Sequence, residues 1–216
     1  MNAIDATDDI DTGTPAFFSR APRIVVHDAL AQLLGASADG RIAYRYADAV
    51  KLAGHSCPTV AGAWLMTRTA LARLYPDEPA RRGQVRVEVR EAEDAGVAGV
   101  IASVATLVTG AAGRGGFKGL AGQHERCGLL SFGVALRGQL RFTRLDNGAQ
   151  VEVSHDAQAV PRPGELRTLM QAALAPGSDG AARAAFAQVW QGWVGEMLTT
   201  HADDPALVIV HDAVRG

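Results

Sequence analysis

A chain of 216 residues with 48% apolar residues, 20% charged residues and a net charge of −2 is long enough to bury one sizeable core, and no compositional shift divides it into two domains. The balanced charge, with no basic stripe interleaved with aromatics, argues against a nucleic-acid surface. The longest apolar stretches, such as Val97 to Val108, fall short of a membrane span and no signal-peptide pattern opens the chain, so a soluble cytoplasmic protein with no membrane partner is expected.

Residues 1–22 scatter Asp5, Asp8, Asp9 and Asp11 among small residues, and Phe17-Phe18 is their only apolar pair. A disordered or draped tail is expected there, its carboxylates solvated because they lack the turn motif of a calcium loop, with a single domain over 23–216. Val26 to Leu34 predicts a short helix ended by Gly35, and Arg41 to Tyr46 alternates like a strand. After Pro58, the positions Val60, Trp64, Leu71 and Leu74 fall on one helical face that Pro76-Asp77 closes. Val85, Val87 and Val89 alternate with charged residues, the pattern of a half-buried strand, and a second helix is expected near Val97 to Val108. Leu140 to Leu145 and Gln150 to Val153 alternate on either side of Asp146-Asn147-Gly148, a strong hairpin signal.

Farther on, helices are expected from Pro163 to Leu174 and from Ala181 to about Leu198, and the run Ala206 to Val210 reads as a strand buried on both faces. Phe186, Trp190 and Trp193 form one stripe of the longer helix. Together with Val194 and Met197, the two tryptophans add more apolar area than one helix seam needs, which predicts a homodimer through this face, against the alternative that the stripe is internal core. The elements combine into a single-domain α+β fold, with helices packed on a largely antiparallel sheet.

Both cysteines stand beside a histidine, in Gly54-His55-Ser56-Cys57-Pro58 and in His124-Glu125-Arg126-Cys127. Thiolate and imidazole are the donors that borderline-soft ions prefer, and two such pairs supply the four ligands of a tetrahedral site: His55, Cys57, Cys127 and His124. Zinc is the first expectation, with nickel, iron or copper ions open to the same donors. A disulfide and two inert buried thiols are the alternatives. Proline suits the first position of a helix, so Cys57 is expected at the N-cap. There a sulfur meets unpaired N–H groups and the positive end of the helix dipole, which favour the thiolate as metal ligand or as nucleophile. Glu88, Glu91, Glu93 and Asp94 offer an oxygen ligand or general base nearby, or simply a solvated acidic turn. The glycine-rich run from Gly110 to Lys118 lacks the ending of a P-loop but offers Arg114 and Lys118 as the charges of an anion-binding loop. His27, His155, His201 and His211 have no ligand-like neighbours and read as surface or hydrogen-bonded structure.

The segment from Tyr46 to Pro58, with Gly62 on the following helix, resembles the signature of the FmdE-like proteins, a family named for a component of formylmethanofuran dehydrogenase. The resemblance spans about residues 40 to 135 and includes the strand Gln84 to Val89, the helix near Val97 to Val108, Thr109-Gly110 and the turn Gly113 to Gly116; G-H-x-C-P is its specific part. It implies a metal-binding role for His55 and Cys57 and an accessory place in molybdenum-enzyme or one-carbon chemistry. Ala53, Ser103, Thr106 and Ala111 stand where family members carry a histidine, an acidic residue, a glutamine and a cysteine, so those ligands are not implied here. Three functions follow as expectations: a metal-binding accessory module, a metal-dependent hydrolase or lyase acting on a small-molecule substrate, and a thiol enzyme using Cys57.

Overall fold

The computed structural model describes residues 13–211, so the acidic cluster at Asp5 to Asp11 lies outside the described residues. The chain opens with a turn of 3-10 helix, Ala16–Ser19, then β1 (Ile24–His27), α1 (Ala29–Leu33), β2 (Arg41–Tyr44), α2 (Tyr46–Ala53) and α3 (Pro58–Leu74). The middle third holds β3 (Ala80–Arg81), β4 (Val85–Val89), α4 (Ala98–Thr109), β5 (Leu130–Ser131), β6 (Leu140–Arg144) and β7 (Gln150–His155). Two helices, α5 (Leu166–Leu174) and α6 (Gly180–Leu198), precede the final strand β8 (Val208–His211). This is a single-domain α+β fold.

Two sheets share one core. The smaller has the order β2-β1-β3, antiparallel on one side of β1 and parallel on the other. The larger runs β5-β4-β6-β7-β8, and every pairing in it except β4 with β5 is antiparallel. Helix α3 lies at the centre, against α4, α6, β6, β7 and β8. Its residues 60–67 are buried without a break, which explains why the helix is apolar on nearly every face rather than along one stripe. Trp64, fully buried, donates its indole N–H to Pro22 O at 2.9 Å and packs edge-on against Tyr46. The single polar side chain of this stretch, Thr67, returns its hydroxyl to Ala63 O at 2.8 Å.

Three local readings change. Ile24 to His27 forms β1, paired in register with β2, and the helix expected from Val26 is confined to Ala29–Leu33. Asp28 sits between the two as N-cap, its carboxylate accepting the N–H groups of Leu30 and Ala31 at 3.0 and 3.1 Å. β8 is an edge strand, and its Ile209 is 38% exposed, so only one of its faces is covered. Phe17 and Phe18 are both buried in the main core, where Phe18 meets Tyr46 edge-on.

Candidate functional site

The loop between α2 and α3 carries His55 and Cys57 and is held from three directions. Gly54, at φ 75°, ends α2 in the left-handed conformation and turns the chain out of the helix. Cys57 is the N-cap of α3, as Pro58 predicts, and its Sγ accepts the N–H of Val60 at 3.5 Å. The Ser56 hydroxyl meets the buried Tyr46 hydroxyl at 3.0 Å. Burial raises the phenol pKa of Tyr46 well above its ordinary value, so the phenol is neutral.

The strongest hold comes from α6. Trp190 Nε1 and Gln191 Nε2 both donate to the Ser56 carbonyl, at 2.9 and 3.2 Å, fixing the peptide that joins the His55 and Cys57 arms of the loop. His55 is exposed and Cys57 half-buried. His55 Nδ1 lies 2.9 Å from Ala53 O. A carbonyl only accepts, so in the neutral ring Nδ1 carries the proton and Nε2 keeps a free lone pair, the arrangement a metal-binding histidine requires.

A second histidine approaches the same helix. The ring of His155 lies against Gly62, where a Cβ would stand 2.3 Å from His155 Nδ1, so a glycine is needed for the close approach. His155 Nε2 is buried without a hydrogen-bond partner, and burial, only partly opposed by Asp156, lowers the imidazole pKa to about 4. This ring is therefore neither a surface group nor a hydrogen-bonded one. His201 and His211 do have partners, Asp204 at 2.9 Å and Ser154 at 2.8 Å.

The second His/Cys pair sits on the turn-rich loop that follows α4. His124, at φ 61°, closes a tight turn beside the Leu120–Gln123 bridge, and Cys127 donates its backbone N–H to Phe117 O at 3.2 Å. Between them, Arg126 turns inward: its side chain is 8% exposed and donates from Nη2 to Asp28 at 2.8 Å. Asp28 also accepts from Arg82 at 3.0 Å. Burial alone would raise the Asp28 pKa, but the Ala31 N–H and the two guanidinium groups outweigh it and hold the carboxyl below its usual range. Nothing in the sequence singles out Arg126, because no spacing relates it to a carboxylate 98 residues earlier. Asp28 directly before Ala29-Leu30-Ala31, in contrast, is a legible cap signal.

Among the described residues, no group of three or more His, Cys, Asp or Glu side chains stands together as a metal site. His55 and Cys57 share one loop, whereas Cys127 and His124 belong to another and are not gathered with them into such a group. Of the acidic candidates, Glu88 is held by Arg141 at 2.7 Å and Glu91 pairs with Arg90 at 3.0 Å, while Glu93 and Asp94 are exposed. Arg114 and Lys118 are exposed, and the Lys118 ammonium is tied to Arg114 O.

No protein-family model matches the sequence, and no curated protein matches it significantly. The apolar stripe of α6 is turned inward at its C-terminal end: Val194 and Met197 are fully buried, and Trp193 donates to Val160 O at 3.1 Å. Among the described residues, no helix is long and apolar enough to cross a membrane.

Proposed function

We propose that the loop between α2 and α3 binds a transition-metal ion, zinc in the first place, through Cys57 Sγ and His55 Nε2, and that the chain is a metal-binding accessory protein similar to the FmdE-like proteins. The observation that carries this reading is the fixed Ser56 peptide. Two side-chain donors from α6 and one hydroxyl from α2 hold a loop whose two flanking residues present an imidazole lone pair and a helix-capping sulfur. A ligand pair is worth little unless its geometry is set in advance by such supporting bonds.

The donor set fits a borderline-soft ion as two ligands of four. Bound there, the ion would supply charge and Lewis acidity to whatever fills its other positions: water, a small-molecule substrate, the Cys127 loop or a second copy of the chain. Elemental analysis and light scattering on untagged protein test this together. About one metal per chain in a monomer supports completion by water, substrate or Cys127; one per two chains in a dimer supports a shared site. Replacing Cys57 by Ala abolishes the metal in either case, and full retention by that variant refutes the reading.

The free cysteine in both loops and the N–H donated to Cys57 Sγ favour a second reading, a thiol enzyme that uses Cys57 as nucleophile. It predicts metal-free native protein in which Cys57 is alkylated faster than Cys127.

A further inference from the structure

We propose that a groove along the outer face of α4 binds a small two-headed molecule, an apolar body with a carboxylate at one end and an amine at the other. The groove is partly open to solvent and offers a volume of about 370 Å³, within the range of small-molecule sites. Leu52, Leu107, Leu130 and Phe132 form its walls, contributed by three separate segments of the chain. Leu52 is 50% exposed, an apolar side chain left open to the groove.

The floor is unusual for a surface helix. α4 carries no charged residue along its 12 positions, and the face turned to the groove presents Gly99, Ser103 and Thr106 where lysine and glutamate would ordinarily stand. The Thr106 hydroxyl is buried and has no hydrogen-bond partner. A buried hydroxyl left unpaired is costly, and a ligand that reaches it recovers that cost.

The two ends differ in charge. At the last turn of α4, Arg82 gives Nη1 to Asp28 and Nη2 to Leu107 O, and its Nε has no partner. Arg82 and Arg126 share the single carboxylate of Asp28, so this end keeps one unbalanced positive charge. At the first turn, beside Gly99, stands Glu93, which makes no ion pair among the described residues. Eight helical steps from Gly99 to Leu107 put the two ends ~12 Å apart. A carboxylate therefore belongs at Arg82, an amine at Glu93 and an unbranched apolar chain between them.

Neither His55 nor Cys57 lines the groove, so the inference stands independently of metal binding. Calorimetric titration of the full chain with 8-aminooctanoate, octanoate and octylamine tests it. The two-headed probe is expected to bind about ten-fold tighter than either single-headed one, the worth of one charge-assisted hydrogen bond. Glu93→Gln should reduce it to the level of octanoate. Gly99→Leu should abolish binding of all three: a Cβ at this position meets only Glu93 O, at 3.6 Å, so the variant folds with its side chain in the groove. Cys57→Ala should leave binding unchanged. Absence of heat with every probe, equal affinity for octanoate and 8-aminooctanoate, or undiminished binding by folded Gly99→Leu overturns the proposal.

Discussion

The two loops that carry a histidine and a cysteine look alike in sequence and are built in opposite ways. In the loop before α3, the residue between the two donors is the anchored one: Ser56 is gripped at its carbonyl and its hydroxyl, while His55 is exposed and Cys57 half-buried. In the loop after α4, the anchored residue is Arg126, whose charge is drawn into the core by Asp28, and His124 and Cys127 flank a structural bolt. Ligand-type residues become a site when the fold holds the backbone beneath them and leaves their lone pairs free. The hold on Ser56 is what supports the first loop as the proposed site, and the second loop uses its hold to fasten the chain after α4 to the end of β1.

The largest expected effect breaks the second loop. Asp28→Ala would leave the buried Arg126 guanidinium and the partly buried one of Arg82 without their carboxylate and remove the cap of α1, a loss of about 3–5 kcal/mol. Chemical denaturation measures it. The metal content assigned to His55 and Cys57 should persist in the folded fraction; a variant of unchanged stability would show that the bolt does not hold the fold.

An effect of similar kind but smaller size tests the helix beneath the first loop. His155 has its pKa lowered to about 4 in the folded chain against 6.5 unfolded, so the unfolded chain binds the extra proton between those values. Its contribution is fully present above about pH 6.5 and is lost as pH falls toward 4, on the order of 3 kcal/mol. The Asp28 contribution disappears below that window, as its carboxylate protonates. His155→Phe should flatten the stability profile between pH 4 and 6.5; a slope equal to that of the parent protein would exclude His155 as its source.

The smallest effect sharpens the first loop itself. Trp190→Phe keeps an aromatic ring and removes one N–H to Ser56 O, costing about 1 kcal/mol of stability. If the clamp positions the ligands, metal affinity should fall as well, and Gln191→Ala should act in the same direction. An unchanged affinity in both variants would make the clamp purely structural.

What is legible in the sequence follows the range of the interactions. Pro58 and the helical spacing through Leu74 announce α3, the alternating valines announce β4, and Asp146-Asn147-Gly148 announces the β6–β7 hairpin, all through contacts between near neighbours. β1 stays hidden because four residues, Ile24 to His27, are too few to show alternation, and only pairing with β2 and β3 makes them a strand. The Cys57 cap is visible beside Pro58, but the bonds to Ser56 arrive from residues 134 and 135 positions later and leave no periodic trace. Phe186, Trp190 and Trp193 are visible as a stripe, yet helical spacing alone cannot say whether it faces the chain's own core or a partner.

Each of the three tryptophans donates its indole N–H to a different main-chain carbonyl: Trp64 to Pro22, Trp190 to Ser56 and Trp193 to Val160. The chain therefore carries a natural fluorophore wired to the peptide between His55 and Cys57. Emission from a variant in which Trp64 and Trp193 are replaced by Phe would report that peptide alone, so that a quenching ion such as copper, or any shift of the loop, becomes an optical signal.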